Sequence, residues 1–240
     1  MGKVCLPSYD EIWSYEDKIN AQYVYEWHGL PSIPTFITNS KEEALTHINK
    51  RIYPFISKIT TGSSSLGVEV VKSKKQAKRL INKVFGSNGR KTYFPYERQK
   101  NYVYFQDFIK GSSFDLRVIV VGEKLLGYYR YPKKGDFKAS GSGILEKKAI
   151  PKEALDIAYS AKQKFKSNFL ATDLLFDKKT DRFLIIESSI FVGVDTSEQL
   201  VVDGIPGYYQ RTPEGEYVLK EGRFWVQELT LKEVIEKKFC

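Results

Sequence analysis

Residues 171–189 read ATDLLFDKKTDRFLIIESS, and this stretch decides the fold. Two apolar runs flank a polar segment near Thr180, a pattern that predicts an antiparallel β-hairpin. With Asp173 opposite Glu187, the two carboxylates project from one face of the sheet with their Cβ atoms about 5 Å apart. Like charges directly opposite each other destabilise a sheet unless a cation lies between them. The hairpin therefore indicates a metal site.

The same register predicts Leu175 opposite Ile185 further along the hairpin. Paired carboxylates on rigid strands suit Mg²⁺, which takes few protein ligands and completes its coordination with substrate phosphates. A structural alternative stays open at this point: Glu187 pairs with a Lys or Arg, or one of the two acids is protonated.

A second motif, residues 54–71, reads PFISKITTGSSSLGVEVV. Gly62 and Gly67 have the spacing of a phosphate-binding P-loop, but Val68 follows where that loop needs a Lys and the start of a helix. We therefore predict a β-hairpin flap, in which two strands are joined by a Gly/Ser turn. Its amides and hydroxyls would close over a phosphate beside Lys58. The alternative is a flexible turn that binds no phosphate.

The 240 residues carry 38 Lys and Arg against 29 Asp and Glu, a net charge of +9, with 42% hydrophobic residues. This composition is typical of a soluble globular protein. No apolar run approaches the roughly 20 residues of a membrane helix, and the first residues lack a signal core, so we expect a cytoplasmic protein. Two cysteines and two histidines argue against a zinc site or a disulfide framework.

The positive charge raises nucleic-acid binding as an alternative, with the basic helix predicted over residues 73–85 as its best support. That helix is more typical of a solvated face, and no nucleic-acid-binding signature accompanies it.

The rest of the chain alternates helices and strands, which predicts an α+β fold in two or three lobes. We predict further helices over residues 9–30, 40–50, 151–166 and 231–239, and strands over residues 36–38, 102–109, 116–121 and 124–131.

In this order the motifs resemble the ATP-grasp superfamily, of the RimK and glutathione-synthetase type. Asp17-Lys18 followed by LPSIPTF is similar to its opening motif, YFQDFIKGSSFDLR (residues 104–117) to its hinge, and YRYPKKGDFKASGSG (residues 129–143) to the segment facing the γ-phosphate. The resemblance implies an α+β ATP-grasp fold, two α+β lobes clamping ATP without the usual preceding domain. It divides the chain into a linking part (1–50), a lid lobe with the flap (51–105) and a lobe with the carboxylates and the tail (106–240).

The resemblance also implies the site residues, and two of them depart from the family pattern. Ser189 stands where Asn is usual, and Lys138 stands where Arg is usual and cannot offer the bidentate fork. Nucleotide-binding residues are implied to be Lys18, Lys58, Ser63, Ser64, Ser65, Gln106, Asp107, Phe108, Ile109 and Asp115. The implied metal ligands are Asp173, Glu187 and Ser189, and the implied catalytic residues are Arg117, Arg130 and Lys138.

By this resemblance the protein is an ATP-dependent carboxylate–amine ligase that uses ATP and Mg²⁺. A carboxylate attacks the γ-phosphate, and an amine converts the acyl phosphate into an amide. DFKASGSG, ESSIF and residues 207–224 resemble a narrower group from bacterial surface-polysaccharide clusters, which implies a uronic acid joined to an amine or amino acid. The alternatives are an ATP-grasp kinase and a non-catalytic nucleotide-binding subunit.

The expected partners are a small-molecule or sugar carboxylate and an amine, without nucleic acid or membrane insertion. A homodimer or a partner subunit is the expected source of the lobe that usually precedes ATP-grasp.

Overall fold

The computed structural model describes residues 5–15, 17–62, 67–136, 138–191 and 200–239. Its helices are α1 (Tyr9–Ile12), α2 (Lys18–Trp27), α3 (Lys41–Lys50), α4 (Lys74–Val84), α5 (Lys152–Lys164) and α6 (Val226–Phe239). Its strands are β1 (Thr35–Thr38), β2 (Phe55–Ser57), β3 (Glu69–Val71), β4 (Arg90–Lys91), β5 (Arg98–Gln99), β6 (Val103–Asp107), β7 (Asp115–Val121), β8 (Lys124–Arg130), β9 (Leu145–Glu146), β10 (Phe169–Asp177), β11 (Arg182–Ser189), β12 (Leu200–Val202), β13 (Ile205–Arg211) and β14 (Tyr217–Glu221). None of the described helices is long and apolar enough to cross a bilayer.

The first helical region is two helices, so the single helix predicted over residues 9–30 is wrong. The Asp17 carboxylate accepts hydrogen bonds from the amides of Ile19 and Asn20 at 3.0 and 3.1 Å, and this cap begins α2. Short acidic side chains favour caps over helix interiors because they compete for backbone amides.

The smaller sheet has the order β1-β6-β2-β3 and forms the lid lobe with α3 and α4. Its core contains Phe55, Phe105, Ile48 and Ile81, all buried. The apolar stripe of α4 faces this core while its lysines are exposed, as the amphipathic pattern of a surface helix requires. Strand β1 and helix α3 belong to this lobe, which therefore draws on chain before residue 51.

The larger sheet has the order β11-β10-β7-β8-β13-β12, with β14 against β13 and β9 against β8. Helix α5 packs on β7 and β10, where Ala158 and Ala161 are buried with Leu116 and Leu174 in one core. Small alanines let the helix lie close to the sheet, so β7, β8 and β10 form a rigid platform.

The hairpin of β10 and β11 confirms one part of the predicted register and corrects the rest. Asp173 lies opposite Glu187, as predicted, but the register shifts immediately after Asp173. Ile185 therefore lies opposite Leu174, not opposite Leu175. A β-bulge of this kind inserts one residue into one strand and re-aims the neighbouring side chains.

The chain beyond residue 199 contains strands that the sequence pattern did not predict. β12, β13 and β14 extend the larger sheet, and α6 begins at Val226, five residues before the predicted start of the last helix. Tyr209 of β13 pairs with Leu125 of β8. Pairing to a strand far away in sequence stabilises these short strands, so local pattern alone does not reveal them.

Candidate active site

A cleft between the two sheets holds a cavity of about 310 Å³. Its lining includes eleven of the predicted site residues: Lys18, Lys58, Gln106, Asp107, Phe108, Ile109, Asp115, Arg130, Lys138, Asp173 and Glu187. Arg117 and Ser189 instead line a neighbouring cavity. Ser63, Ser64 and Ser65 lie outside the described residues, so their predicted role at the phosphates stays a prediction.

Lys58 is a buried cation of the first cavity. It follows β2, where its amide donates to the carbonyl of Tyr104 at 3.1 Å, and the residue is only 4% exposed. Burial lowers the pKa of Lys58 to about 8, with the charges of Glu187 and Asp173 opposing that effect. Lys58 forms no ion pair with any described residue, so an anionic ligand here would gain a strong partner.

Lys18 joins α2 to the base of the flap. Its Nζ donates to the carbonyl oxygen of Gly62 at 2.5 Å. The Lys18 amide donates to the carbonyl of Thr60 at 3.0 Å, and the Thr60 hydroxyl donates to the Asp17 carboxylate at 2.7 Å. The cap of α2 therefore holds the segment that follows β2 beside this lysine.

The hinge strand β6 sends neighbouring side chains to opposite faces, as a strand must. Gln106 is buried and donates to the Thr35 hydroxyl at 3.2 Å. Asp107 lines the cavity, but its carboxylate pairs with Arg51 at 2.7 Å. The nucleotide-binding role implied for Asp107 stays a prediction, and a nucleotide would have to compete with this ion pair.

Four charged side chains on adjacent strands form an ion network under the cleft. Arg117 of β7 donates to both carboxylate oxygens of Asp173, Nε at 2.7 Å and Nη2 at 2.8 Å. Arg130 of β8 reaches Asp173 at 2.6 Å and Asp115 at 2.5 Å. The register explains the network, since Asp173 lies opposite Arg117 and Asp115 lies opposite Arg130.

This network shifts the acidity of its carboxyl groups in opposite directions. Burial alone would raise the pKa of Asp173, but the charges of Arg117 and Arg130 hold it well below its ordinary value. Burial raises the pKa of Asp115 to about 6, with Arg130 opposing. The two arginines and two aspartates sum to zero charge, which is how a protein buries such a group at tolerable cost.

A second cavity of about 510 Å³ adjoins the first. The residues that line both are Lys18, Gly62, Arg130, Ser140, Ile186 and Glu187. Aromatic side chains form much of its wall, among them Tyr25, Tyr104 and Tyr128. Sequence reasoning missed these tyrosines, because they come from α2, β6 and β8 and no local pattern connects them.

Residues 15–204 match the model of the RimK-like ATP-grasp domain. The chain belongs to this ATP-grasp family. The match contains every strand and helix whose described residues line the two cavities.

Among similar proteins, this ATP-grasp chain is 25% identical over 203 residues to an alpha-aminoadipate–LysW ligase, LysX, of Saccharolobus solfataricus. That match covers 80% of this chain and 62% of the relative, so the chain spans about three fifths of that relative's length. It is also 23% identical to a ribosomal protein bS6–L-glutamate ligase of Escherichia coli O139:H28, over 92% of this chain and 76% of the relative.

Solved structures share the ATP-grasp fold at low identity. A D-alanine–D-alanine ligase from Bacillus anthracis aligns with a TM-score of 0.55 and 17% identity, covering 76% of this chain and 59% of that one. The ATP-grasp ligase PsnB, complexed with precursor peptide PsnA2 and AMPPNP, aligns with a TM-score of 0.54 and 15% identity, covering 78% of this chain and 54% of that one. These alignments confirm the predicted α+β ATP-grasp fold.

The family implies Mg²⁺ beside ATP, and the donors of this cleft fit that ion. Asp173 and Glu187 lie opposite each other on a rigid hairpin, and hard oxygen ligands completed by phosphates are what Mg²⁺ takes. No cluster of three or more His, Cys, Asp and Glu side chains occurs among the described residues, so the protein alone offers few ligands. The Ser189 hydroxyl donates to the carbonyl of Phe191 at 2.9 Å, and its predicted metal role stays a prediction.

Proposed function

We propose that this chain is an ATP-dependent carboxylate–amine ligase that forms an amide through an acyl phosphate. One observation carries the proposal: two connected cavities share Lys18, Arg130 and Glu187 at their junction. A nucleotide in the first cavity would present its γ-phosphate at that junction, where a carboxylate in the second could attack it. Such positioning is the main work of phosphoryl transfer.

Residues of this chain supply charge at each stage of the proposed reaction. Lys18 and Lys58 bind the phosphates, and Arg130 and Lys138 stabilise the charge that builds up as the phosphoryl group moves. Mg²⁺ bound by Asp173 and Glu187 would neutralise further phosphate charge. Closing of the lid lobe would keep water from the acyl phosphate. A protein nucleophile is not required.

The proposed substrates are a uronic acid of a bacterial capsule or other surface polysaccharide and an amine or amino acid. The similarity of DFKASGSG and ESSIF to proteins of such clusters supports the sugar acid. The names of the relatives support an amino acid as one partner, since those proteins are alpha-aminoadipate and L-glutamate ligases. We further propose that the enzyme works in the cytoplasm as a homodimer or with a partner subunit.

An ADP-release screen tests the proposal. Uronic acids and nucleotide-linked uronates are paired with amines and amino acids, and hydroxylamine is added in parallel to trap an acyl phosphate as a hydroxamate. We expect ADP release that depends on a carboxylate, together with hydroxamate. Phosphorylation of a hydroxyl without hydroxamate would establish the kinase instead, and ATP binding without turnover of any pair would establish a binding subunit.

Asp173→Asn and Glu187→Gln are the control variants of this screen. Each removes one of the two carboxylates that face the phosphates, so we expect both to abolish turnover. Undiminished turnover in both variants would overturn the metal assignment while leaving the ligase reaction itself standing.

A further inference from the structure

The short hairpin of β4 and β5 presents two different faces. Arg90 lies opposite Gln99, and Lys91 lies opposite Arg98. Arg90 donates to the side chain of Gln99 at 3.1 Å and pairs with Glu69 of β3 at 2.8 Å, so this face attaches the hairpin to the lid lobe. Neighbouring residues of a strand point to opposite sides, and Lys91 and Arg98 are accordingly exposed.

Lys91 and Arg98 form an unbalanced pair of positive charges. Like charges directly opposite each other destabilise a pair of strands, and neither residue forms an ion pair with any described side chain. Lys100 adds a third exposed cation directly after β5. An anion bound between these side chains would relieve their repulsion.

The turn between the two strands is aromatic. Its sequence, residues 92–97, reads TYFPYE, and Tyr93 and Tyr96 are 67% and 85% exposed. The rings of Phe94 and Tyr96 are inclined by 28° with centroids 5.9 Å apart, and Tyr93 meets Phe94 edge to face at 5.6 Å. Exposed aromatic clusters beside polar groups mark interaction sites, because covering aromatic surface is favourable.

Hydrogen bonds hold this turn in one shape. The amide of Phe94 donates to the Thr92 hydroxyl at 3.2 Å, and the amide of Glu97 donates to the carbonyl of Phe94 at 3.1 Å. A ligand that packs on a turn with a fixed shape loses less free energy to ordering of the protein.

The hairpin also contacts the segment that borders the cleft. The Thr61 hydroxyl donates to the Glu97 carboxylate, and the amide of Thr60 donates to the Tyr102 hydroxyl at 2.9 Å. Gly62, the next residue, lines both cavities. A long ligand held on the hairpin would therefore lie beside the cleft.

Exposed rings beside unbalanced positive charges are complementary to a chain of sugar acids. Each uronic acid unit has a ring face of C–H groups, which packs on aromatic rings, and a carboxylate, which pairs with lysine and arginine. An acidic peptide supplies carboxylates without such ring faces, and a neutral glycan supplies ring faces without charge. An acidic glycan uses both features of the hairpin.

We infer that this hairpin surface, formed by Lys91, Tyr93, Phe94, Tyr96 and Arg98, binds an acidic glycan. The acid substrate is then one unit of an oligomer or polymer, not a free or nucleotide-linked sugar acid. This inference rests on the proposed ligase function and narrows its acid substrate.

Calorimetric binding to the full chain, without ATP and at about 150 mM salt, tests the surface. The acidic glycans are oligogalacturonate, oligomannuronate and hyaluronan oligosaccharides. The comparison ligands are a neutral maltooligosaccharide, monomeric galacturonate and poly-L-glutamate. We expect at least one acidic glycan to bind about tenfold or more tightly than every comparison ligand, because only it engages several rings and charges together.

One double variant tests the rings. Tyr93→Ala with Tyr96→Ala removes two exposed aromatic side chains at low risk to folding, and we expect the Kd for the best acidic glycan to rise about tenfold. Trp27→Ala is the matched control, since Trp27 at the end of α2 is 86% exposed and lies on another element. It should leave the Kd unchanged.

A second double variant tests the charges. Lys91→Gln with Arg98→Gln removes the cross-strand pair, so we expect the Kd to rise about tenfold and its salt dependence to weaken. Lys74→Gln with Lys78→Gln makes the same change in charge on the exposed face of α4 and should change the Kd less than about twofold.

Hydroxamate formation with ATP and Mg²⁺ connects the surface to the reaction. We expect the KM for the best acidic glycan to rise in both hairpin variants, with the KM for ATP unchanged. The inference would be overturned, with the ligase left standing, if no acidic glycan binds or if a comparison ligand binds as tightly. Unchanged affinity in either hairpin variant would overturn it as well.

Failure of the proposed function has a different signature. Glycan binding that depends on the hairpin, without ADP release or hydroxamate from any acid in this assay and in the broader screen, would overturn the ligase and leave the glycan surface assigned.

Discussion

At the residue scale, Asp173 decides the charge balance of the cleft. Its carboxylate is 3% exposed and receives hydrogen bonds from two arginines on two neighbouring strands. Glu187, directly opposite, forms no ion pair within the described ranges. Two acids that look equivalent in sequence therefore have different structural roles, because only one of them lies within reach of both guanidinium groups.

This difference predicts unequal costs of removing the two charges. Asp173→Asn leaves Arg117 and Arg130 facing a neutral amide, and we expect the free energy of unfolding to fall by about 3 kcal/mol. Glu187→Gln breaks no such pair, so we expect a loss under about 1 kcal/mol. Urea denaturation of both variants measures the difference. Equal losses would contradict the assigned asymmetry.

Lys58 gives the site a pH dependence. Burial lowers its pKa from 10.5 to about 8, so between these values the folded chain holds fewer protons at this group than the unfolded chain. The contribution of Lys58 to stability therefore rises with pH across that window. A bound phosphate stabilises the protonated form of Lys58 and so raises its pKa. ATP binding at about pH 9 should therefore be accompanied by proton uptake at this group.

Calorimetric ATP titrations in buffers of different ionisation enthalpy measure this uptake. Lys58→Met serves as the comparison and should reduce the proton uptake as well as the affinity. Proton uptake that is unchanged in Lys58→Met would show that another group titrates.

At the element scale, the close approach of β7 and β8 positions the arginines. A Cβ on Gly127 would lie 2.1 Å from the carbonyl oxygen of Arg117, so glycine allows the two strands to pair at this point. The sequence pattern predicted both strands, since their apolar residues are local. It could not show why this position lacks a side chain, because the clash is with the neighbouring strand.

Gly127→Ala should therefore separate β8 from β7. We expect a loss of about 3 kcal/mol in the free energy of unfolding, since the contact is with backbone that cannot turn away. Gly135→Ala is the control: φ is +85° and no atom lies within 4 Å of the added Cβ, so only backbone strain of about 1 kcal/mol applies. Thermal denaturation compares them, and a larger loss in Gly135→Ala would contradict the proposed clash.

At the scale of the whole molecule, the chain has a net charge of +9, and two groups of its basic residues bear on function. Lys18, Lys58, Arg117, Arg130 and Lys138 line the two cavities. The exposed face of α4 carries a second group of basic residues, away from its buried apolar stripe. The first group faces the proposed anionic substrates, and the second is a solvated helix face.

We expect this protein to show no specific binding to DNA or RNA. Any association of the α4 face would be electrostatic and should disappear between about 50 and 200 mM salt, because counterion release weakens it. Fluorescence anisotropy with labelled single- and double-stranded oligonucleotides measures this. The double variant Lys74→Glu and Lys78→Glu should abolish residual binding with turnover unchanged. Salt-resistant binding would restore the nucleic-acid alternative.

The sequence by itself determined the elements and the order of the motifs. Apolar periodicity located most strands and helices. The acids of residues 171–189, the flap after Lys58 and the hinge near Gln106 indicated an ATP-grasp fold, because each signal is contained within about twenty residues of chain. The sequence also predicted which residues face phosphate, since lysines suit phosphate and paired carboxylates suit Mg²⁺.

Only the tertiary structure decided what these residues contact. The Asp173 network, the orientation of Asp107 toward Arg51, the tyrosine-lined second cavity and the strands beyond residue 199 all join segments distant in sequence. The β-bulge after Asp173 also depends on how three strands fit together. Such contacts form when distant surfaces pack, and the burial and charge balance that select them are properties of the assembled sheet and not of any local pattern.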